Sequence, residues 1–453
     1  MTTGEALSQK LEQWLQAVGF VKGNPFATIN AEDERAFLPE CFVDTGHYFS
    51  ILGDPQKPQT TLVLAPRGCG KTAYRVMLEQ QCYPQGALVN ALAVPYLTFD
   101  PLFENPSLTL RERLHCHLSA ILRQGLQAIA DTTARYPEML HHVTPTQLQT
   151  LSSLQQRHTS PSTVPGSPAQ QPLEDFTAFV RLVRGMGLDS VYVLVDRLDE
   201  QPETADDPQA VIDLILPLLA HLPLMELPGA AFKFFLPLTA ETLLQGAPKV
   251  RLDRLRRYWV EWDEALLSQL LEKRLTTFSE GHIKSLGQLA LSPLSETIDR
   301  DLIQWANGSP RQLLHLGELL LLEHARTMQG DTLLLTQEAW EGAFTHFQRE
   351  FPPPRLRIDP LLPRARIGAR LIELTPLEHK FLLVLHQSRG WCEKEVLILK
   401  VWDTTEGVTD QAVSRLVRRI REKIEPLPGA PIYLLTEHNQ GFRLEYLEEP
   451  QAP

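Results

Sequence analysis

Ala65-Pro-Arg-Gly-Cys-Gly-Lys-Thr72 holds the residue types of this chain that most directly imply chemistry. Glycines at 68 and 70 let consecutive backbone N–H groups curl around phosphate oxygens, a conformation that a Cβ resists. Lys71 supplies a mobile charge for β and γ phosphates, Thr72 offers a hydroxyl to Mg²⁺, and the helix that must follow adds its dipole. Ala65, Pro66, Arg67, Gly68, Cys69, Gly70, Lys71 and Thr72 are therefore expected to cradle ATP. Ala65 stands where such loops usually carry their first glycine.

Downstream, Ser190-Val-Tyr-Val-Leu-Val-Asp-Arg-Leu-Asp-Glu200 follows an apolar run with three carboxylates. In phosphoryl transfer an Asp at a strand end holds Mg²⁺ and its water shell, and a nearby carboxylate orients the attacking water. Asp196, with Thr72, is thus assigned to the metal. Lys71 and either Asp199 or Glu200 are assigned to catalysis. The 14 histidines include no HExxH, and His115 and His117 sit two apart in a helical pattern, where they do not share a face. ATP and Mg²⁺ are the only cofactors expected.

A third set lies near the C-terminus. Val413, Leu416, Val417, Ile420 and Ile424 recur at helical spacing and predict one buried stripe over 410–424. Gln411, Ser414, Arg415, Arg418 and Glu422 fall away from its centre, and Arg419 and Arg421 add charge. A helix with one face in a core and another bearing Arg and Gln suits a major groove, where Arg reads guanine and Gln reads adenine. The alternative is a solvated charged face.

These residues need elements to hold them. Strand-like runs at Thr61–Leu64, Val94–Phe99, Ser190–Val195 and Phe232–Leu238 alternate with amphipathic helices such as Leu110–Ala128 and Leu173–Gly185. That alternation predicts a parallel sheet with helices on its faces. From Trp262 to Phe347 the pattern is mostly helical and predicts a lid. Gln155–Pro172 is rich in Pro, Ser, Thr and Gln and reads as a flexible loop. Arg251, Arg254, Arg256 and Arg257 read as a solvated basic turn or as an arginine finger toward a neighbouring subunit. Thr239, after the run FKFFLPL, reads as a strand-end threonine or a sensor of the γ phosphate. Phe351-Pro-Pro-Pro354 marks a boundary. Beyond it come short strands, a helix opened by the capping box Thr375/Glu378 with Pro376 at its first position, two more helices and a hairpin over 432–436 and 441–447.

The chain has 453 residues and a formal net charge of −12, which argues against a nucleic-acid binder. The charge is segregated, however. Residues 355–453 carry 15 basic and 14 acidic side chains, a net of +1, and residues 1–354 the remaining 28 and 41, a net of −13. The five cysteines, Cys41, Cys69, Cys82, Cys116 and Cys392, include no CxxC pair and fit reduced intracellular thiols. The N-terminus has no basic region followed by an apolar core, so no secretory signal is read. A soluble cytoplasmic protein without membrane contact is expected.

Two resemblances follow from these residues. VYVLVDRLDE resembles the DxxDE-type Walker B of STAND and NACHT/KAP-like P-loop NTPases, relatives of AAA+ ATPases. Asn24-Pro25-Phe26 and Ala31-Glu32 resemble the segment that packs near adenine in these and in Orc/Cdc6-like ATPases, and Gly308-Ser-Pro-Arg311 is similar to their sensor-2 motif. This resemblance covers about residues 20–350. It implies that Asp196 binds Mg²⁺, that Asp199 or Glu200 polarises water, and that Arg311 reaches the nucleotide from the lid. LTPLEHKFLLVL, GWCEKEVLILKVW, VTDQAVSRLVRRIREKIEP and YLLTEHNQGFRLEYL together resemble the OmpR/PhoB-type winged helix of bacterial response regulators. It implies a recognition helix at about 410–424 and a wing that carries His438-Asn439 where the family has Arg then Gly.

The fold class expected is α/β. A P-loop NTPase core occupies 1–260 with its flexible loop at 155–172, a helical lid 261–350, and an α+β winged helix-turn-helix 355–449. The function implied is a slow, regulatory ATPase that binds duplex DNA through Gln411, Ser414, Arg415, Arg418, Arg419, Glu422 and His438. A bacterial transcriptional, defence or mobile-element regulator fits, with a nucleotide-dependent homo-oligomer allowed. The alternatives are an Orc/Cdc6-like or transposition-type loader and a STAND signalling scaffold that binds no DNA.

Overall fold

The structure is a computed structural model. It describes all residues except 1–2, 83–88, 104–106, 159–170, 206, 248, 329–332, 368–369, 389, 405–407, 426–430, 438–439 and 448–453. The chain divides into two compact units, one of Leu15–Ser285 with Gly308–Leu314, the other of Met1–Trp14, Leu286–Asn307 and His315–Pro453.

The first unit is built on five parallel strands: β1 (Thr61–Ala65), β2 (Ala91–Tyr96), β3 (Ser190–Val195), β4 (Ala230–Pro237) and β5 (Arg256–Trp259). Their order is β2-β3-β4-β1-β5. Every residue of β1 and β3 is buried, as expected of strands covered on both faces. Alternate residues point to opposite faces. Leu62, Leu64, Val193, Val195, Phe232 and Phe234 join the core that includes residues of helices Leu110–Arg135, Pro172–Gly185 and Pro208–Leu219. Val63, Ala65, Tyr192, Leu194 and Phe235 pack with Val76, Met77 and Leu78 of helix Lys71–Gln81.

Three expectations need correction here. β2 begins at Ala91 rather than Val94, because its register with β3 runs from Ala91↔Ser190 to Tyr96↔Val195; Phe99 leaves the sheet and packs against Tyr96. Pro95 is tolerated because β2 is an edge strand. Gln155–His158 are helical, as the end of helix Pro145–His158, and Pro172 opens the next helix. Leu154 and His158 anchor that end. Leu154 is fully buried, and His158 Nε2 and Asp175 Oδ2 are hydrogen-bonded at 2.8 Å. Residues 159–170 of the expected loop lie outside the described residues. Finally, Arg256 and Arg257 belong to β5, paired along β1, and not to a turn. Arg251, Arg254 and Arg257 each pair within this unit, with Asp253, with Glu226 and Asp253, and with Glu241.

In the second unit, helices Ile298–Ala306 and Gln337–Glu350 meet through Trp305 and Phe344, whose rings lie 4.4 Å apart. Further along, β6 (Leu356–Ile358), β7 (Arg364–Ile367) and β8 (Arg370–Glu373) form an antiparallel sheet. Helices Pro376–Ser388, Lys394–Trp402 and Asp410–Ile424 follow, then the hairpin of β9 (Leu434–Glu437) and β10 (Gly441–Leu444). One apolar core joins all of these elements. Thr375 N–H donates to Glu378 Oε2 at 2.8 Å and Glu378 N–H to Thr375 Oγ1 at 3.3 Å, so the capping box forms. Glu378 also accepts from Lys423 Nζ at 2.7 Å, tying the first helix of this domain to its last. Among the described residues, no helix is long and apolar enough to cross a membrane.

Candidate functional site

β1 ends at Ala65, and helix Lys71–Gln81 starts after five intervening residues. Gly70 caps that helix at φ +89°, and Gly68 sits at φ +80°. A Cβ on Gly68 would also stand 3.1 Å from Arg311 Cβ and 3.2 Å from Ser309 Oγ, so glycine is required there twice over. The loop is fastened from outside: Trp262 Nε1 donates to Cys69 O at 3.0 Å, and Arg311 N–H to Gly68 O at 3.3 Å. Cys69 is buried with its Sγ 3.6 Å from Gly308 O, and burial pushes its thiol up. It is therefore a poorly ionised thiol.

Lys71 is buried at the head of its helix. Its Nζ donates to Asp199 Oδ2 at 3.3 Å and to the Ala65 and Pro66 carbonyls at 3.4 and 3.5 Å. β4 lies between β1 and β3 in the sheet, so this pair bridges the ends of non-adjacent strands. Asp196 has a different partner. It is 1% exposed and accepts from Arg75 Nε at 3.3 Å. Glu200 is paired loosely with Arg197, at 3.8 Å.

These groups share a cavity of about 480 Å³. Arg67, Gly68, Gly70, Lys71 and Thr72 line it together with Asp196, Asp199, Glu200 and Arg311. Of the expected phosphate-loop residues, Ala65, Pro66 and Cys69 are not among the lining side chains. Thr239 is exposed after β4 and does not line it either. Among the described residues, Arg311 Nε is buried without a hydrogen-bond partner. Apolar side chains line it as well: Ile29, Ala31, Leu38, Phe42, Val43, Trp262 and Leu270.

That lining is pinned by one buried arginine. Arg274, on helix Glu264–Phe278, pairs with Glu34 and donates from Nε to Pro25 O at 2.6 Å. It ties the segment around Asn24–Glu34 to helix Glu264–Phe278. Volume and a lining of both polar and apolar groups are those of a small-molecule site. Among the described residues no group of three or more His, Cys, Asp or Glu is placed to hold a metal by itself. Mg²⁺ needs fewer protein ligands, since it binds through one or two carboxylates plus substrate phosphates. Thr72, Asp196 and Asp199 in the same cavity fit that donor set.

In helix Asp410–Ile424, Val413, Leu416, Val417, Ile420 and Ile424 are buried, while Gln411, Ser414, Arg415, Arg418, Arg419 and Glu422 are exposed. Arg418 Nε bonds Glu422 Oε1 at 2.9 Å. Arg421 is not part of that face. It donates to Leu434 O at 2.9 Å and Thr436 Oγ1 at 2.8 Å, holding the hairpin. Glu425 accepts the N–H groups of Ile432, Tyr433 and Leu434 and does the same from the helix end. Gly441, at φ +97°, sits against Cys392 O, where no Cβ fits. His438 and Asn439, expected in the wing, lie outside the described residues.

Sequence reasoning missed Arg75, Trp262 and Glu425, and counted Arg421 among the charges of the DNA-facing helix, where the structure commits it to the hairpin. Arg75 had a signal: a charge three residues before Leu78, on the helix face that Leu78 carries into the core. Arg421 and Glu425 had none, because their partners are backbone groups of a distant hairpin.

Residues 368–444 match the family model described as transcriptional regulatory protein, C terminal. The alkaline phosphatase synthesis transcriptional regulatory protein SphR of Synechococcus elongatus is 32% identical over 91 residues, covering 20% of this chain and 35% of that protein. The chain thus spans about a third of the length of this curated relative. Among solved structures, the Klebsiella pneumoniae RstA DNA-binding domain in complex with the RstA box has 21% identity, covering 21% of this chain and 94% of that one, at a TM-score of 0.19. The Aeropyrum pernix ORC2 protein, in ADPNP–ADP complexes, has 14% identity, covering 93% and 89%, at a TM-score of 0.35. In its C-terminal segment, then, this chain is similar to the C-terminal domain of transcriptional regulatory proteins.

Proposed function

We propose that the chain is an ATP-binding and ATP-hydrolysing regulatory switch, of the STAND or NACHT/KAP-like kind, that binds duplex DNA through its C-terminal winged helix. One observation carries the nucleotide half: a glycine-shaped loop, Lys71, Thr72, three carboxylates and Arg311, whose Nε has no partner among the described residues, converge on one cavity that apolar side chains also line. The phosphates seat on the loop amides, and Lys71 turns from Asp199 toward them. Asp196 or Asp199, with Thr72, holds Mg²⁺, which neutralises phosphate charge when bound. Glu200 or the released Asp199 orients water. Arg311 supplies a further positive charge from the helix N-terminus.

The DNA half rests on the exposed Gln/Ser/Arg face of helix Asp410–Ile424 within a segment similar to transcriptional regulators. Nucleotide then acts only through its differential affinity for two states of the protein. Purified protein is tested for nucleotide binding and for a salt-dependent shift of genomic DNA fragments, beside Lys71→Ala. Retained DNA binding with nucleotide dependence lost in the variant supports the switch. Absence of both activities in the wild type sinks it.

A further inference from the structure

Arg75 is fully buried, and three carboxylates share its guanidinium. Nη1 bonds Glu79 Oε2 at 2.6 Å, Nη2 makes a short bond to Glu32 Oε1, and Nε reaches Asp196 Oδ2 at 3.3 Å. The contact to Asp196 is the longest of the three. Around this centre, Arg35 binds Glu79 through both oxygens and Glu32 through Nε, and Arg197 reaches Glu32 and Glu200. The cluster thus sets Arg75, Arg35 and Arg197 against Asp196, Glu32, Glu79 and Glu200. It joins two groups of cavity-lining residues: Asn30 and Ala31, just before Glu32, and Asp196 with Glu200.

A guanidinium in contact with Asp196 opposes a divalent cation at the same carboxylate, since like charges a few ångströms apart in a buried site repel strongly. Glu32 and Glu79 draw that guanidinium the other way. We propose that Arg75 is a positioning residue coupling the Asn30–Ala31 lining of the cavity to Asp196: Glu32 draws the guanidinium away from Asp196, and a ligand that seats against Asn30–Ala31 strengthens that pull. The inference rests on the nucleotide reading above and names its regulation. Occupancy against Asn30–Ala31 would then raise the affinity for Mg²⁺ at Asp196.

The experiment is a double-mutant cycle on the full chain with Glu32→Asp, Arg75→Lys and the pair, since a cycle isolates the term the two residues share. Glu32→Asp keeps the charge but shortens the reach, so the guanidinium settles on Asp196. In Arg75→Lys the ammonium reaches Glu79 one turn on and releases Asp196. The readout is binding: N-methylanthraniloyl-ATP fluorescence, titrated with Mg²⁺ and repeated in EDTA, with a circular dichroism melt of each variant. The half-saturating Mg²⁺ is expected to rise about fivefold in Glu32→Asp and to fall about fivefold in Arg75→Lys, an ordinary size for coupled sites. In the pair, Glu32→Asp should have no further effect, and affinity in EDTA should stay within about twofold of wild type throughout. Independent, multiplying effects, or unchanged Mg²⁺ dependence in folded variants that bind the analogue, overturn the coupling alone. Wild-type protein that binds no analogue with or without Mg²⁺ overturns the nucleotide reading and the coupling with it.

Discussion

Lys71 Nζ and Asp199 Oδ2 lie 3.3 Å apart, with both side chains largely withdrawn from water. Each occupies the other's charge until something better arrives. A triphosphate offers Lys71 more negative charge than one carboxylate does, and its arrival frees Asp199 as well. Lys71→Ala should therefore weaken ATP binding by about two orders of magnitude or more, the loss of a buried charge-assisted contact. Isothermal titration of both proteins measures it, and near-equal affinities would refute the assignment.

Arg311 makes a sharper test of the same cavity. Its Nε has no partner among the described residues, so removing the side chain orphans no buried group there. Arg311→Ala should leave thermal stability nearly unchanged while lowering ATP turnover by about tenfold or more, as expected for a lost charge at a reacting phosphate. A melting temperature that falls together with activity would make Arg311 a structural residue instead.

Arg418 and Arg421 sit three apart on one helix and should fail differently. Arg418→Ala should weaken DNA binding and leave both stability and ATP turnover intact. Arg421→Ala strips donors from Leu434 O and Thr436 Oγ1 and should cost about 1–3 kcal/mol of stability in urea unfolding. Equal behaviour of the two variants in both assays contradicts this division.

Burial holds the amine of Lys233, in β4, down to about 7, against an ordinary 10.5. The folded chain then binds fewer protons here than the unfolded one above pH 7, so stability should climb as pH rises. Cys82, the neighbour whose thiol burial pushes up to about 12, cancels the trend once unfolded thiols ionise near 9. The window is therefore pH 7 to 9, with a gain on the order of 2 kcal/mol. Lys233→Met should be more stable than wild type at pH 7 and flat across that window. Parallel denaturation curves for the two proteins at pH 7, 8 and 9 would sink the claim.

Much of this molecule is legible in its sequence because local chemistry and buried pattern agree there. β1, β3 and helix Asp410–Ile424 have continuous or strictly periodic apolar residues, and the phosphate loop needs its glycines where they stand. Helix Pro145–His158 was hidden because its face is mostly Gln, Thr and Ser, with Leu154 and His158 alone fully packed. β5 was hidden because an edge strand of four residues, two of them arginine, has no apolar alternation to read. The pairing of Asp196 with Arg75 was beyond reach for a different reason. Sequence gives an acid at a strand end, but which cation it meets depends on how a helix face turns.

The long C-terminal helix spends its positive charge in two ways. Arg421 is committed to the hairpin, and only Arg415, Arg418 and Arg419 are exposed along it. If these three displace condensed ions from a duplex, the helix accounts for a slope of no more than about −3 in the logarithm of affinity against that of salt. A counterion count is thus built into the way one element is packed. Salt titration should register the loss of Arg419 as roughly one ion.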